Sequence, residues 1–231
     1  MAGMAPRTYR QGRRAEDAAR TRRRIIAATR RLTEAGGAPS VDAIAASARV
    51  SVQTVYTHFG SKRALLFATI DEVQRDAGLY AAFGNVWSSP DGETALRRMV
   101  DATVRLWDGA WPFVEWSMRA EREDPETAAS LRQAHTGRRL HLWHITRRLD
   151  EEGRLRRRSS PERAADLAFA LTTAAAYEEL VRRHGWAVDA AIDSLQDVVV
   201  AAVIEHGTRA QLDPPPDWSG AIALLGPAGR A

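Results

Sequence analysis

The sequence contains no cysteine and no apolar run long enough to cross a membrane. Without cysteine, the chain cannot form disulfides, thiolate metal sites, iron–sulfur clusters or a cysteine nucleophile. A membrane helix needs roughly 20 apolar residues, and a signal peptide needs a shorter apolar stretch near the N-terminus. Neither pattern occurs, so we expect a soluble, cytoplasmic protein with no membrane partner.

Enzyme signatures are also missing. There is no glycine-rich phosphate loop or dinucleotide-binding glycine pattern, and no nucleophile stands at a useful spacing from a base. His141 and His144 are three residues apart, but no carboxylate or further histidine completes a metal site with them. We therefore expect no catalytic residue, no metal and no cofactor, and an all-α enzyme stays a remote alternative.

Positive charge is concentrated at one end of the chain. Residues 1–66 carry 13 Lys/Arg and 4 Asp/Glu, a net charge of +9, whereas the remainder carries 20 and 25, a net charge of −5. A basic segment joined to an acidic one is typical of a polyanion-binding module attached to a domain with another partner. A solvated charged surface is the alternative that composition leaves open.

The basic part divides into an arm and several short helices. Residues 1–17 lack apolar periodicity and predict a flexible basic arm. A first helix follows, with Ile25, Ala28 and Leu32 on one stripe, and it ends at Gly36-Gly37. Ser40 and Ser51 are predicted N-caps of two more short helices, and Ser61 caps a fourth. Two short helices joined by a three- or four-residue turn predict a helix-turn-helix over residues 18–66.

This segment resembles the DNA-binding domain of the TetR/AcrR family of transcriptional regulators. The matching positions are Ile25, Ile26, Ala28, Leu32, Glu34, Gly36, Val41, Ile44, Ala45, Ala48, Val50, Ser51, Thr54, Tyr56, His58, Phe59, Lys62, Leu65 and Leu66. Two positions depart from the pattern: Arg49 replaces the usual glycine of the turn, and Thr33 stands where a bulky apolar residue is common. The resemblance implies a three-helix head, a connecting fourth helix, and a variable helical C-terminal domain that dimerises and usually binds a small molecule.

The helix after Ser51 contains the candidate DNA contacts. The resemblance places Tyr56 and Lys62, the only lysine in the chain, against phosphates on either side of this helix. A lysine at a helix N-terminus adds its charge to free backbone amides. Gln53 is expected to read a base, with apolar contacts from its neighbours, while His58 either packs on the head or reaches a phosphate. The candidate DNA-binding residues are Ser40, Ser51, Val52, Gln53, Thr54, Tyr56, Thr57, His58 and Lys62.

The remainder of the chain predicts an all-α protein. Turn signals separate helices near 92–109, 112–122, 125–152, 161–184 and 187–207, within a ligand-binding and dimerisation domain of residues 67–207, and the tail from 208 to 231 is expected to be irregular. By analogy with the family, the last two helices form the homodimer interface, although ordinary core packing explains their apolar stripes as well. Aromatic residues of the middle helices predict an apolar ligand pocket, although packing in the core of the bundle is the alternative for any single tryptophan. The candidate ligand-binding residues are Trp107, Trp111, Trp116, Met118, Trp143 and Tyr177.

These observations predict a homodimeric, sequence-specific regulator of transcription. The expected partner is a pseudo-palindromic double-stranded operator, from which a hydrophobic or aromatic small molecule releases a repressor. A DNA-binding activator, or a regulator without a small ligand, is the alternative.

Overall fold

The computed structural model describes residues 6–37, 39–123 and 125–205. Within these ranges the regular structure consists of α-helices and one π-helical segment, and the β-type pairing recorded there is an isolated bridge between Leu155 and Ile204. The all-α prediction is therefore confirmed. The helices are α1 Pro6–Glu34, α2 Val41–Ala48, α3 Val52–Phe59, α4 Lys62–Asp76, α5 Leu79–Trp87, α6 Gly92–Gly109, α7 Trp111–Glu123, α8 Pro125–Glu151, α9 Pro161–Leu171, α10 Ala174–Tyr177 and α11 Val188–Val203, with the π-helical segment at Glu178–Arg183.

Serine caps set the beginnings of α2, α3 and α4. The hydroxyls of Ser40, Ser51 and Ser61 each accept a hydrogen bond of 3.1 Å from the backbone N–H three residues further on. Each serine thus satisfies one of the N–H groups that a helix start leaves without a partner. The three short helices consequently begin where the sequence predicts.

Helix α1 is longer than the sequence predicts. It begins at Pro6, so residues 6–17 are helical where we expected an arm, and residues 1–5 lie outside the described residues. Proline is favourable at a helix start, and the alanines and arginines that follow are good helix formers. Backbone hydrogen bonds of a helix are local, so the helix extends beyond the apolar stripe that begins at Ile25, with residues 14–20 exposed.

The buried apolar side chains form two groups. The first, which we call the head core, lies among α1, α2 and α3 and includes Ile25, Ile44, Val55 and Phe59. The second, the C-terminal core, lies among the later helices. Helix α4 contributes Leu65 to the head core and Val73 to the C-terminal core, so the predicted domain boundary at residues 66/67 falls within one continuous helix.

Up to residue 171, most of the C-terminal helices agree closely with the ranges predicted from the sequence. Helices α6, α7 and α8 agree with the predicted ranges to within a residue, whereas α5 was not predicted. The predicted helix 161–184 is broken: α9 ends at Leu171, and the Thr173 hydroxyl caps a new start by accepting from the Ala176 N–H. Threonine hydroxyls compete with the backbone for hydrogen bonds, so two adjacent threonines favour a break.

The last predicted helix, 187–207, ends earlier, at Val203. Ile204 has extended backbone angles, and the Arg156 N–H donates to the Val203 carbonyl at 2.9 Å. This short antiparallel contact stops the helix. The predicted tail of residues 208–231 lies outside the described residues.

Candidate DNA-binding surface and ligand cavity

The turn between α2 and α3 contains an arginine in a left-handed conformation. Arg49 has φ 53° and ψ 51°, and its N–H and that of Val50 donate to the carbonyls of Ala46 and Ala45. This pattern closes a helix C-terminus and normally uses glycine. The Arg24 side chain on α1 reinforces the turn, because its Nη2 donates to the carbonyls of Ala48 and Arg49 at 2.5 and 3.2 Å.

Helix α3 is anchored by two side chains and presents others to solvent. Val55 and Phe59 are buried in the head core. Gln53, Tyr56 and Thr57 are exposed, and Tyr56 retains 41% of its accessible surface, which is large for an aromatic side chain. The remaining candidates Val52, Thr54 and His58 are half-buried. The exposed face therefore combines an amide, a phenol and a hydroxyl, groups that hydrogen-bond to base edges and phosphates.

Several candidate hydroxyls already have partners within the head. The hydroxyls of Ser40 and Ser51 act as helix caps, and Ser51 also lies 2.8 Å from the Thr54 hydroxyl. Thr57 donates to the Gln53 carbonyl at 2.8 Å. A hydroxyl that donates to one group can still accept from or be approached by another, so these bonds orient the side chains and leave contacts to DNA open.

Lys62 is the first residue of α4, directly after the Ser61 cap, and is half-buried. The free backbone N–H groups at the start of α4 and the positive charge of Lys62 thus lie close together, which favours binding of an anion. Arg22 was not predicted from the sequence as a residue of this surface. Its guanidinium lies 4.4 Å from the Phe59 ring centroid, and its Nη1 donates to the His58 carbonyl at 3.4 Å. The sequence pattern of α1 gives no sign of this contact, because it depends on how α1 crosses α3.

A cavity of about 610 Å³ lies between α4 and the middle helices. Its volume suits a drug-sized ligand. Its lining is largely apolar and comprises Phe67, Ile70, Asp71, Gln74, Phe83, Leu106, Trp107, Ala110, Phe113, Val114, Ser117, Met118, Glu121, Leu131, His135, Gly137, Arg138, His141, Phe169, Thr173, Ala174 and Ala175.

The structure changes the predicted ligand set. Trp107 and Met118 line the cavity, whereas Trp111, Trp116, Trp143 and Tyr177 are not part of its lining. Trp111 lies outside the lining because α6 and α7 are separated by a break at Ala110. Trp111 begins the new helix and packs on the buried Tyr177 ring, with the ring centroids 5.2 Å apart.

Trp143 and Tyr177 use their polar atoms elsewhere. The Tyr177 hydroxyl donates to Asp108 at 2.7 Å, and burial together with this bond raises the pKa of Tyr177. The Trp143 indole donates to Glu162 at 3.0 Å, which ties α8 to α9. Trp116 is half-buried on α7. These side chains therefore support the bundle beside the cavity.

The lining also includes a cation, Arg138, which was not predicted from the sequence as a ligand-binding residue. It lies half-buried on α8, with Nη1 donating to the carbonyl and hydroxyl of Thr172 at 3.0 and 2.9 Å. Burial lowers the pKa of Arg138 to about 10, so the side chain keeps its charge at pH 7. Two histidines, His135 and His141, also line the cavity, and desolvation lowers the pKa of both.

Among the residues that the structure describes, no group of three or more acidic, histidine or cysteine side chains is placed to hold a metal ion. No helix in the described ranges is both long and apolar enough to span a membrane.

The head matches a known protein family, and the fold of the chain is found in several solved structures. Residues 25–69 match the family model of bacterial regulatory proteins of the tetR family. No curated protein sequence matches the chain. A transcriptional regulator from Saccharomonospora viridis, solved in complex with choline, is 20% identical with a TM-score of 0.67 over 81% of this chain and 100% of its own.

Two further solved structures share the fold. NalD of Pseudomonas aeruginosa, the secondary repressor of the MexAB-OprM multidrug efflux pump, is 18% identical with a TM-score of 0.65 and covers 81% of this chain and 98% of its own. FadR of Bacillus subtilis, solved with stearoyl-CoA, is 15% identical with a TM-score of 0.62 and covers 78% and 97%. Residues 25–69 thus match the DNA-binding domain of the tetR family, and the chain as a whole shares the all-helical fold of these solved regulators.

Proposed function

We propose that the protein is a homodimeric, sequence-specific repressor of transcription that leaves a pseudo-palindromic operator when an apolar small molecule occupies its cavity. The head is residues 18–66 and the ligand-binding and dimerisation domain is residues 67–207. The tetR-family match of residues 25–69 supports DNA-binding regulation. The operator, the ligand and the dimer are argued from the geometry of the described residues.

The DNA-binding side of the proposal rests on the exposed face of α3. Gln53 reads a base edge, and Tyr56 and Lys62 hold phosphates on either side. Phosphate contacts fix the register of the head and carry no sequence information, whereas base contacts provide specificity. The net charge of +9 on residues 1–66 supports binding to a polyanion.

One observation carries the coupling between the two sites: α4 belongs to both. Its first residue is Lys62, and its later residues Phe67, Ile70 and Gln74 line the cavity. Lys62 and Gln74 are separated by about 18 Å along the helix axis, at about 1.5 Å per residue. A ligand that pushes on the cavity side of a rigid helix also shifts its other end, and the ligand acts through its different affinities for the two positions.

The dimer interface is proposed on α9 and α11. Leu167 on α9 and Val198 on α11 keep 43% and 50% of their surface exposed, although neighbouring positions on the same helices are fully buried. A second apolar face on a helix that already packs into a core is typical of a helical interface between subunits. A two-fold dimer places two α3 helices about 34 Å apart, one turn of DNA.

Selection of bound duplexes from a random library, at two salt concentrations, tests the DNA-binding proposal. We expect a pseudo-palindrome with half-sites about one turn apart. Lys62→Ala should weaken binding to every sequence and lower the salt slope by about 1, whereas Gln53→Ala should relax preference at one position of each half-site. Arg157→Ala, which removes an exposed charge from the C-terminal part, is the matched control.

Two results would contradict the proposal. Weak binding without sequence preference would mean that the head binds DNA only through its positive charge. If the protein stays on the operator when cavity ligands are added, the result would favour the alternative functions, a DNA-binding activator or a regulator without a small ligand. Light scattering of Leu167→Glu and Val198→Glu tests the dimer, which we expect to dissociate into monomers.

A further inference from the structure

The cavity contains one cation whose charge is not balanced by a neighbouring carboxylate among the described residues. A charge withdrawn from water is normally paired, because desolvation without a partner costs free energy. Many arginines of this chain have such partners; Arg139, the next residue on α8, pairs with Asp166. No described carboxylate lies within salt-bridge distance of Arg138.

The guanidinium of Arg138 also has donors to spare. It carries five N–H groups, and its described acceptors are the Thr172 carbonyl and hydroxyl and, at 3.5 Å, the Phe169 carbonyl. Its Nε is buried without a hydrogen-bond partner among the described residues. The side chain is held rigidly, stacked 3.9 Å from the Phe169 ring centroid and 5.6 Å from that of Trp107.

The negative groups of the lining are differently placed. Asp71 accepts hydrogen bonds from Arg75 and Tyr80, so its charge is already engaged. Glu121 interacts electrostatically with His135, whose pKa is lowered by desolvation and by the charge of Arg138. Neither carboxylate forms a described salt bridge with Arg138, and burial alone accounts for its lowered pKa, so no described carboxylate neutralises the Arg138 charge.

We propose that the cavity selects an apolar molecule ending in a carboxylate, which pairs with the Arg138 guanidinium. This rests on the proposed ligand-binding function and gives the ligand its chemical class. A guanidinium presents a planar fork of donors that matches the two oxygens of a carboxylate. The apolar lining takes the body of the molecule, and a neutral His135 offers one further N–H. The ligand supplies the anion that no described residue places beside Arg138.

Arg138 has a structural role with which this proposal must be contrasted. Its bonds to Thr172 and Phe169 satisfy carbonyls at the C-terminus of α9, where a positive charge is favourable. A purely structural arginine predicts that its replacement lowers thermal stability without changing which ligand end group is preferred. The two roles are therefore distinguished by the ratio of the affinities for ligands that differ only in their end group, measured in wild-type protein and in an Arg138 variant.

The test compares three probes with the same ten-carbon chain: decanoic acid, decan-1-ol and decylamine. Their dissociation constants are measured by calorimetry and by quenching of tryptophan fluorescence at pH 7.5. A hydrogen-bonded charge pair in a desolvated site corresponds to roughly ten- to a hundredfold in affinity. We expect decanoic acid to bind wild-type protein more tightly than decan-1-ol by that factor, with decylamine weakest.

Variants locate the preference. Arg138→Gln should bind the acid and the alcohol equally, and Arg138→Lys should retain part of the preference. Arg139→Gln, a change at the adjacent exposed arginine, should keep the preference for the acid. The wild-type comparison needs no variant, so it decides the matter even if Arg138→Gln fails to fold.

The proposal is overturned if wild-type protein binds the acid and the alcohol equally, if it does not bind the acid, or if the preference survives in Arg138→Gln. Tightest binding of decylamine would also overturn it and assign the cavity to cations. Operator release is measured in parallel. If the acid binds through Arg138 but the operator stays bound, only the proposed release of the operator by a ligand is refuted. If apolar compounds release the operator without any preference for the acid, only the proposed carboxylate group of the ligand is refuted.

Discussion

Replacing Arg49 with glycine should stabilise the head. Arg49 has φ 53°, a conformation in which a Cβ atom approaches the following carbonyl at a cost of roughly 1–2 kcal/mol. Glycine removes that cost but loses about 0.5–1 kcal/mol more backbone entropy on folding. The net gain expected for Arg49→Gly is about 0.5–1 kcal/mol, which lowers the local opening constant about two- to fivefold.

Amide hydrogen exchange is the suitable assay. All seven tryptophans lie at or beyond residue 87, so their fluorescence does not report on the head. Exchange of peptides covering 41–59, followed by mass spectrometry, reports the opening of α2 and α3 directly. We expect Arg49→Gly to exchange about two- to fivefold more slowly than wild-type protein in these peptides, and equally in peptides of α8.

Arg49→Ala separates the backbone from the charge. Alanine keeps the Cβ atom and therefore the strain, while it removes the same guanidinium as glycine does. Exchange of Arg49→Ala should match that of wild-type protein. The reasoning would be refuted if the glycine and alanine variants exchanged at the same rate, because the left-handed backbone would then carry no measurable cost.

Two core substitutions test packing. Thr33 is buried, and its Oγ1 has no hydrogen-bond partner among the described residues, so Thr33→Val should raise the free energy of unfolding of the head by about 1–3 kcal/mol. Slower exchange in α1 peptides would show this, and Thr33→Ser, which keeps the hydroxyl, should not gain. At Gly92 a Cβ atom would lie 2.7 Å from Leu149 Cδ2 in the C-terminal core, so Gly92→Ala should destabilise by about 1–3 kcal/mol. Urea unfolding followed by tryptophan fluorescence measures it, and an unchanged midpoint would contradict the overpacking.

The helix-turn-helix is readable from the sequence because its determinants are local. A serine cap bonds to an amide three residues away, and the apolar spacing of Val55 and Phe59 lies within one helix. The position of Arg49 in the turn likewise follows from chain order. The proline-initiated starts of α8 and α9 belong to the same class of local signal.

The cavity is not readable in this way. Trp107 and Trp111 have the i, i+4 spacing of one helical face, yet a helix break separates them, and only Trp107 of the two is in the cavity lining. Arg138 and Arg139 are adjacent in sequence, but a helix turns by about 100° per residue. One therefore lines the cavity while the other pairs with Asp166 at the surface.

The sequence by itself determined the all-α class, the serine caps of α2, α3 and α4, and the charge difference between the two ends, since each depends on neighbours along the chain or on composition alone. The tertiary structure decided which aromatic residues surround the cavity, where the predicted helix 161–184 breaks, and that Arg138 faces the cavity without a carboxylate partner among the described residues. These features depend on contacts between residues distant in sequence, such as Arg138 and Thr172, and on the rotation of each helix, which periodicity alone leaves undetermined.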